Sequence, residues 1–162
     1  MAAHPVSTDH LGTLRDTDRD AIGGELQEVL VVLLDLALLG KHAHWNLVGP
    51  HFRSLHLHLD EMVAEWHELA DRVAERAVAL GQVADGRAAT VAAGIELSSL
   101  PAERIPDRDV IAAFTRLLAD ASGVVRDQMT RIETVDPVTA DLLHDVVATL
   151  EEQLWMVRVQ AA

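Results

Sequence analysis

The chain contains no cysteine, which removes disulfide frameworks, thiolate metal sites and cysteine nucleophiles together and leaves His, Asp and Glu as the available metal ligands. Tyrosine is absent as well, and aromatic residues make up only 3% of 162 residues. With Ala, Leu and Val dominant, that scarcity favours helices packed on helices over a sheet-rich fold. No apolar run suits a membrane: the most apolar stretch, Val29 to Gly40, is interrupted by Asp35 and falls short of the roughly 20 residues that span a bilayer. Nor does the N-terminus show a basic region followed by an apolar run and a cleavage site, so a cytoplasmic location is expected. Positive charge is scarce too. Thirteen Lys and Arg face 26 Asp and Glu, a net charge of −13, which opposes non-specific attraction to phosphate backbones or anionic lipid and favours cations as partners.

What is present reads as one all-α domain, with 49% hydrophobic residues supplying the core. Residues 1–19 lack steady apolar periodicity and read as a flexible arm; His4, Asp9 and His10 within it are read as a solvated tail. A helical pattern runs from about Asp20 through Leu26, Val29, Leu30, Leu33, Ala37 and Leu38 and ends before Gly49-Pro50, with Gly23 and Gly24 blurring its start. A second helix is expected from about Arg53 to Leu80, its stripe formed by Leu55, Leu59, Met62, Val63, Trp66, Leu69, Ala70, Val73 and Ala77, with Gly81 as the stop. Between Gly81 and Pro106 there is room only for a short helix around Ala88 to Leu97. A third helix is expected from Asp107, and Asp136-Pro137 combines a cap with proline at the first helical position to start a fourth. Residues 20–160 therefore predict a four-helix bundle with one long crossover between the second and third helices.

Chemistry concentrates on the second helix. His56 and Asp60 lie four residues apart, as do Asp71 and Glu75, so each pair projects from one face as a two-ligand clip. Eleven residues separate Asp60 from Asp71, which leaves the clips within about 20° in direction but roughly 16 Å apart along the axis. One metal ion cannot join both clips of one chain. An antiparallel copy of the helix, related by a twofold axis near residues 65 and 66, would set His56 and Asp60 against the other copy's Asp71 and Glu75, giving two identical sites per dimer. His44, at the end of the first helix, can add a second imidazole. Two neutral nitrogens with three carboxylates suit Fe(II), Mn(II) or Zn(II). Any one such pair on an amphipathic helix is more often solvated surface than ligand.

The surrounding residues change that balance. The stretch from Lys41 through His44-Trp45 and Gly49-Pro50 to Phe52, followed by Leu55-His56, Asp60, Asp71 and Glu75-Arg76, closely resembles the signature of the Dps family of miniferritins, and the likeness runs from about Leu26 to the ending Leu154-Trp155-Met156-Val157-Arg158. No Glu-x-x-His of the classical ferritins occurs. The resemblance implies a ferritin-like bundle assembled into a hollow dodecamer. It implies Fe(II) bound by His44, His56, Asp60, Asp71 and Glu75 as a ferroxidase site for one or two irons. Hydrogen peroxide would be the oxidant, the ferric product would be stored as mineral, and the benefit would be protection from oxidative stress.

Further roles follow from the same likeness, each beside a plainer reading. Trp45 would lie close to the iron and absorb an oxidising equivalent, and core packing explains it equally. Asp141 would line a threefold iron-entry pore, with Asp136 and Asp145 as neighbours, although Asp136 also serves as a helix cap. Glu61, Glu65 and Glu68 would face the cavity and nucleate mineral, or form a solvated face. Trp66 would fill a twofold contact or pack in the bundle, and His67 would be a ligand or a polar interface residue. His42, His51 and His58 are read as structural or solvated. Dps proteins also compact DNA through basic arms, but two Arg and no Lys precede Gly24 and only Arg158 follows Trp155, so nucleoid association is doubtful. A cage that buffers Zn(II) or Mn(II) without turnover is the remaining alternative.

Overall fold

The apolar stripe expected of the second helix is the buried one: Leu55, Leu59, Met62, Val63, Trp66, Leu69, Ala70, Val73 and Ala77 are all buried along α2 (Phe52–Ala79). The computed structural model describes residues 14–94, 97 and 100–161. In it α2 packs most extensively on α1 (Asp16–Asn46), and α4 (Asp107–Ile132) packs on α5 (Pro137–Arg158); the crossover between the pairs carries the short α3 (Ala88–Ala92). Residues Val159–Ala161 form a 3₁₀ turn after α5. This is the expected four-helix bundle with one long crossover.

Two boundaries move. The first helix starts at Asp16 rather than near Asp20, so residues 16–19 are helix and not arm. Asp16 and Asp18 lie in its first turn, where they complement the positive end of the helix dipole, and they pair with Arg19 and Arg15. Residues 1–13, with His4, Asp9 and His10, lie outside the described residues. The crossover helix ends at Ala92, short of the expected Leu97.

A close apolar contact between α1 and α2 is built around a missing side chain. Any Cβ added at Gly40 would sit 2.5 Å from Val63 Cγ2 and 2.7 Å from Trp66 Cζ3, so α1 can approach α2 there only as glycine. Trp66 fills the notch with 0% exposure, lies parallel to Phe114 at 6.2 Å between ring centroids, and donates its indole N–H to Gln153 Oε1 at 2.7 Å. Bundle packing is thus its role. No surface is left to it for a twofold contact, which corrects that alternative.

A feature the sequence pattern did not announce clamps the end of α1. Strand β1 (Leu47–Val48) pairs in parallel with β2 (Ile105–Pro106), Leu47 opposite Ile105, and so ties the end of α1 to the start of α4. Gly49 follows at φ +139°, and a Cβ there would meet the Asp107 carboxyl carbon at 2.5 Å. The buried Asp107 carboxylate accepts the His51 backbone N–H and the His51 Nδ1–H, both at 2.9 Å, and the Arg108 N–H at 2.9 Å. Those donors, the His51 backbone N–H foremost, hold its carboxyl below the usual range.

Candidate metal centre

His44 lies in the last turn of α1 and His56 in the second turn of α2, and the α1–α2 contact sets their rings face to face, 3.6 Å between centroids and 18° from parallel. Each Nδ1 meets the other residue's backbone carbonyl, His44 Nδ1 to His56 O at 2.9 Å and His56 Nδ1 to His44 O at 3.0 Å. A carbonyl only accepts, so both Nδ1 atoms carry the hydrogen and both Nε2 atoms keep a lone pair. Phe52 stacks on His56 at 4.9 Å. Two imidazole nitrogens are thereby pre-set for a cation by the backbone bonds that orient metal-binding histidines in general.

One turn further along α2, the half-exposed Asp60 places Oδ1 2.5 Å from Lys41 Nζ and 3.7 Å from His44 Nδ1. The hydrogen-bonded Lys41 ammonium is the chief reason its carboxyl is held below the usual range. Lys41 has no counterpart in the spacing argument. It appears in the motif, but that its ammonium reaches across to Asp60 depends on the α1–α2 packing. A cation at Asp60 Oδ1 would compete with it.

Asp71 and Glu75 lie on the same exposed side of the unbroken α2, about 16 Å from Asp60 by helical rise. Among the described residues of one chain no group of three or more His, Asp or Glu is arranged to hold a metal ion. The five expected ligands are therefore brought together only in part: His44, His56 and Asp60 are neighbours, and Asp71 and Glu75 are not among them. Leu57, Ala64, His67 and Val78 share the exposed side with the two clips.

The remaining residues sort by contact. Trp45 is 70% exposed, which excludes core packing as its explanation and leaves it beside His44 on the outer surface. His42 is tied to the crossover through Nε2 and the Pro101 carbonyl at 2.9 Å, and His58 Nδ1 accepts from Gln160. His67 is exposed, as are Glu61 and Glu68; Glu65 accepts from Gln153 at 2.5 Å. Asp141 and Asp145 are exposed on α5, Asp145 paired with Arg72 at 2.7 Å. Asp136 is different. Its side chain is 6% exposed, paired with Arg76 at 2.6 Å and bonded to the Thr139 hydroxyl. Burial disfavours its charge, but Thr139 and Arg76 outweigh that and hold its carboxyl below the usual range. Within one chain its carboxylate is thus engaged by Arg76 and Thr139, unlike the exposed carboxylates of Asp141 and Asp145.

Residues 24–162 match the model of the ferritin-like domain. The chain is 35% identical over 133 residues to DNA protection during starvation protein 2 of Deinococcus radiodurans, covering 82% of this chain and 55% of that one, so it spans about half the length of that relative. It is 31% identical to the DNA protection during starvation protein of Agrobacterium fabrum, covering 96% of this chain and 94% of the other. Among solved structures, Dps of Mycobacterium smegmatis superposes with a TM-score of 0.88 at 29% identity over 99% of this chain and 94% of that one. DpsA14 of Streptomyces coelicolor does so at 0.88 and 32%, over 92% and 89%.

Proposed function

This chain belongs to the ferritin-like domain family and, within it, to the Dps proteins, and from that premise we propose that it takes Fe(II) as substrate and oxidises it at sites shared by twofold-related copies. The observation that carries the reading is the reciprocal pair of His44 and His56, in which each stacked ring commits Nδ1 to the backbone and leaves Nε2 available. Histidines that receive a metal are held in one tautomer and orientation by such a bond from the other ring nitrogen.

In this reading the two imidazoles and Asp60 hold Fe(II) once Lys41 is displaced, and Asp71 and Glu75 of the partner subunit close the site from the other side. The 16 Å between the clips and the exposed, partly apolar side of α2 that carries them both favour such a partner. Hydrogen peroxide is the oxidant we assign. One electron from each of two Fe(II) ions and two protons break its O–O bond, yielding two Fe(III) and two waters. The exposed Trp45 beside His44 can supply an electron when a single iron has reacted. Exposed Asp141 and Asp145 would draw cations in, and Glu61 and Glu68 would seed ferric mineral inside a dodecameric cage. Zn(II) or Mn(II) would compete for the same donors.

The relatives' names speak of DNA protection. For this chain we assign protection to the consumption of Fe(II) and peroxide, because a net charge of −13 opposes DNA contact. No described helix is long and apolar enough to cross a membrane. Anaerobic Fe(II) titration followed by peroxide, with absorbance recording ferric product, tests the reading. Rapid, saturable oxidation is expected. Stoichiometric binding without oxidation would instead make the protein a metal buffer.

A further inference from the structure

Packing explains why the Trp66 ring is buried but not where its N–H leads. An indole nitrogen only donates, so the Gln153 amide must turn Oε1 toward Trp66, at 2.7 Å, and that leaves Nε2 to donate to Glu65 Oε2 at 2.5 Å. Trp66 is 0% and Gln153 1% exposed, whereas Glu65 is an exposed residue. The chain of bonds therefore runs from a sealed indole through one buried amide to a carboxylate that meets solvent. A satisfied core tryptophan needs only the first of those bonds.

The other two tryptophans need no such path. Trp45 and Trp155 are 70% and 57% exposed and can lose an N–H proton to water directly. Tyrosine and cysteine, the other side chains that give up single electrons readily, are both absent, so one-electron chemistry in this chain falls chiefly to its tryptophans. Trp66 also lies near the candidate centre, because its Cζ3 closes on Gly40, one helical turn before His44. Oxidised where it stands, the indole would become a cation without water around it, which burial strongly disfavours. Release of the N–H proton removes that charge.

We propose that Trp66 is an electron donor to the iron site and that Gln153 and Glu65 are its proton relay, a role that rests on the iron reading. When peroxide meets a single Fe(II), the iron gives one electron and Trp66 the second, and the O–O bond breaks. As the indole proton passes to Gln153 Oε1, a Gln153 Nε2 proton passes to Glu65. Two protons from solvent complete two waters, leaving Fe(III), a neutral indolyl radical and a protonated Glu65. The next Fe(II) returns the electron, the two relay protons run back, and the Gln153 amide is restored. The second oxidising equivalent of peroxide is thus held in the core instead of escaping as hydroxyl radical.

The test uses the full chain, loaded with fewer Fe(II) ions than chains, mixed with peroxide and freeze-quenched for electron paramagnetic and electron–nuclear double resonance. A tryptophan radical without an exchangeable N–H coupling is expected, and it should vanish in Trp66→Phe. Glu65→Gln keeps an acceptor for Gln153 but takes up no proton, and Gln153→Met cuts the chain; both should lose the deprotonated radical with unchanged helical circular dichroism. A purely structural Gln153–Glu65 pair would leave the radical intact in Glu65→Gln, and that result overturns the relay. Fe(II) oxidation in the unaltered protein with no radical at Trp66 overturns it also, while the iron reading stands. If no Fe(II) is oxidised, the iron reading fails and a ruthenium polypyridyl photo-oxidant replaces iron and peroxide. The radical that Trp66→Phe removes must then again be lost in Glu65→Gln; its persistence there, or its absence from the unaltered protein, overturns the relay. Should either core variant misfold, Glu65→Gln decides, since Trp66 is the indole its carboxylate is linked to.

Discussion

Two inactive variants are expected to restore each other. Asp60→Ala removes the carboxylate next to the paired imidazoles, and Glu75→Ala removes one from the distant clip, about 16 Å along the same helix. If each site draws its halves from two chains, a mixed dimer has one site with both defects and one that joins the intact Asp60 of one copy to the intact Glu75 of the other. Random pairing of equal amounts makes about half of the dimers mixed, and half of their sites whole, so about a quarter of the unaltered rate should return. The assay is the initial rate of Fe(II) oxidation after co-expression, with native mass spectrometry showing that both variants share assemblies. A rate no higher than the mean of the two separate variants, in assemblies proven to be mixed, would refute the shared site.

Lys41→Met should tighten Zn(II) binding at neutral pH by about fivefold at most, the scale of a half-exposed ion pair. Calorimetry that finds weaker binding refutes the displacement. Arg76→Leu should cost about 2 kcal/mol at pH 7 by stranding the nearly buried Asp136. Since the folded-state carboxyl of Asp136 is depressed, its contribution is complete above about pH 3.9 and lost as pH falls through the folded value. Urea unfolding should therefore show a smaller deficit at pH 3 than at pH 7, and equal deficits would sink the assignment. Trp66→Ala should cost roughly 3–5 kcal/mol, because it empties the notch over Gly40 and orphans Gln153; a melting temperature lowered by only a degree or two would contradict it.

Local patterns were enough to read α2, α4 and α5 to within a residue or so, because each is amphipathic and Asp136-Pro137 and Gly81 mark their ends. The start of α1 was obscured because Gly23 and Gly24 weaken helix propensity, while the reason for Gly23 is a tertiary one: the Gln82 side chain lies where its Cβ would be. The β1–β2 pairing joins residues nearly sixty apart and is only two residues long on each side, too short for any periodicity to show. Among the site residues, the spacing of His56, Asp60, Asp71 and Glu75 was visible in one helix. Lys41 reaching Asp60, and Arg76 burying Asp136, arise between helices, and no single-helix pattern contains them.

The glycine at position 40 does more than admit Trp66. It lies one turn, roughly 6 Å, before His44, so the depth of that notch sets how close the two helices stand where the imidazoles meet. A methyl group at 40 would push α1 off α2 by an ångström or more if Val63 and Trp66 held their places. Rings 3.6 Å apart would lose contact and both backbone bonds would stretch, while most of the core closed up again around the change. The geometry of the proposed metal site is thus calibrated by an atom that is not there, at a residue outside that site, and sequences that vary here would be expected to lose the paired imidazoles before they lose their fold.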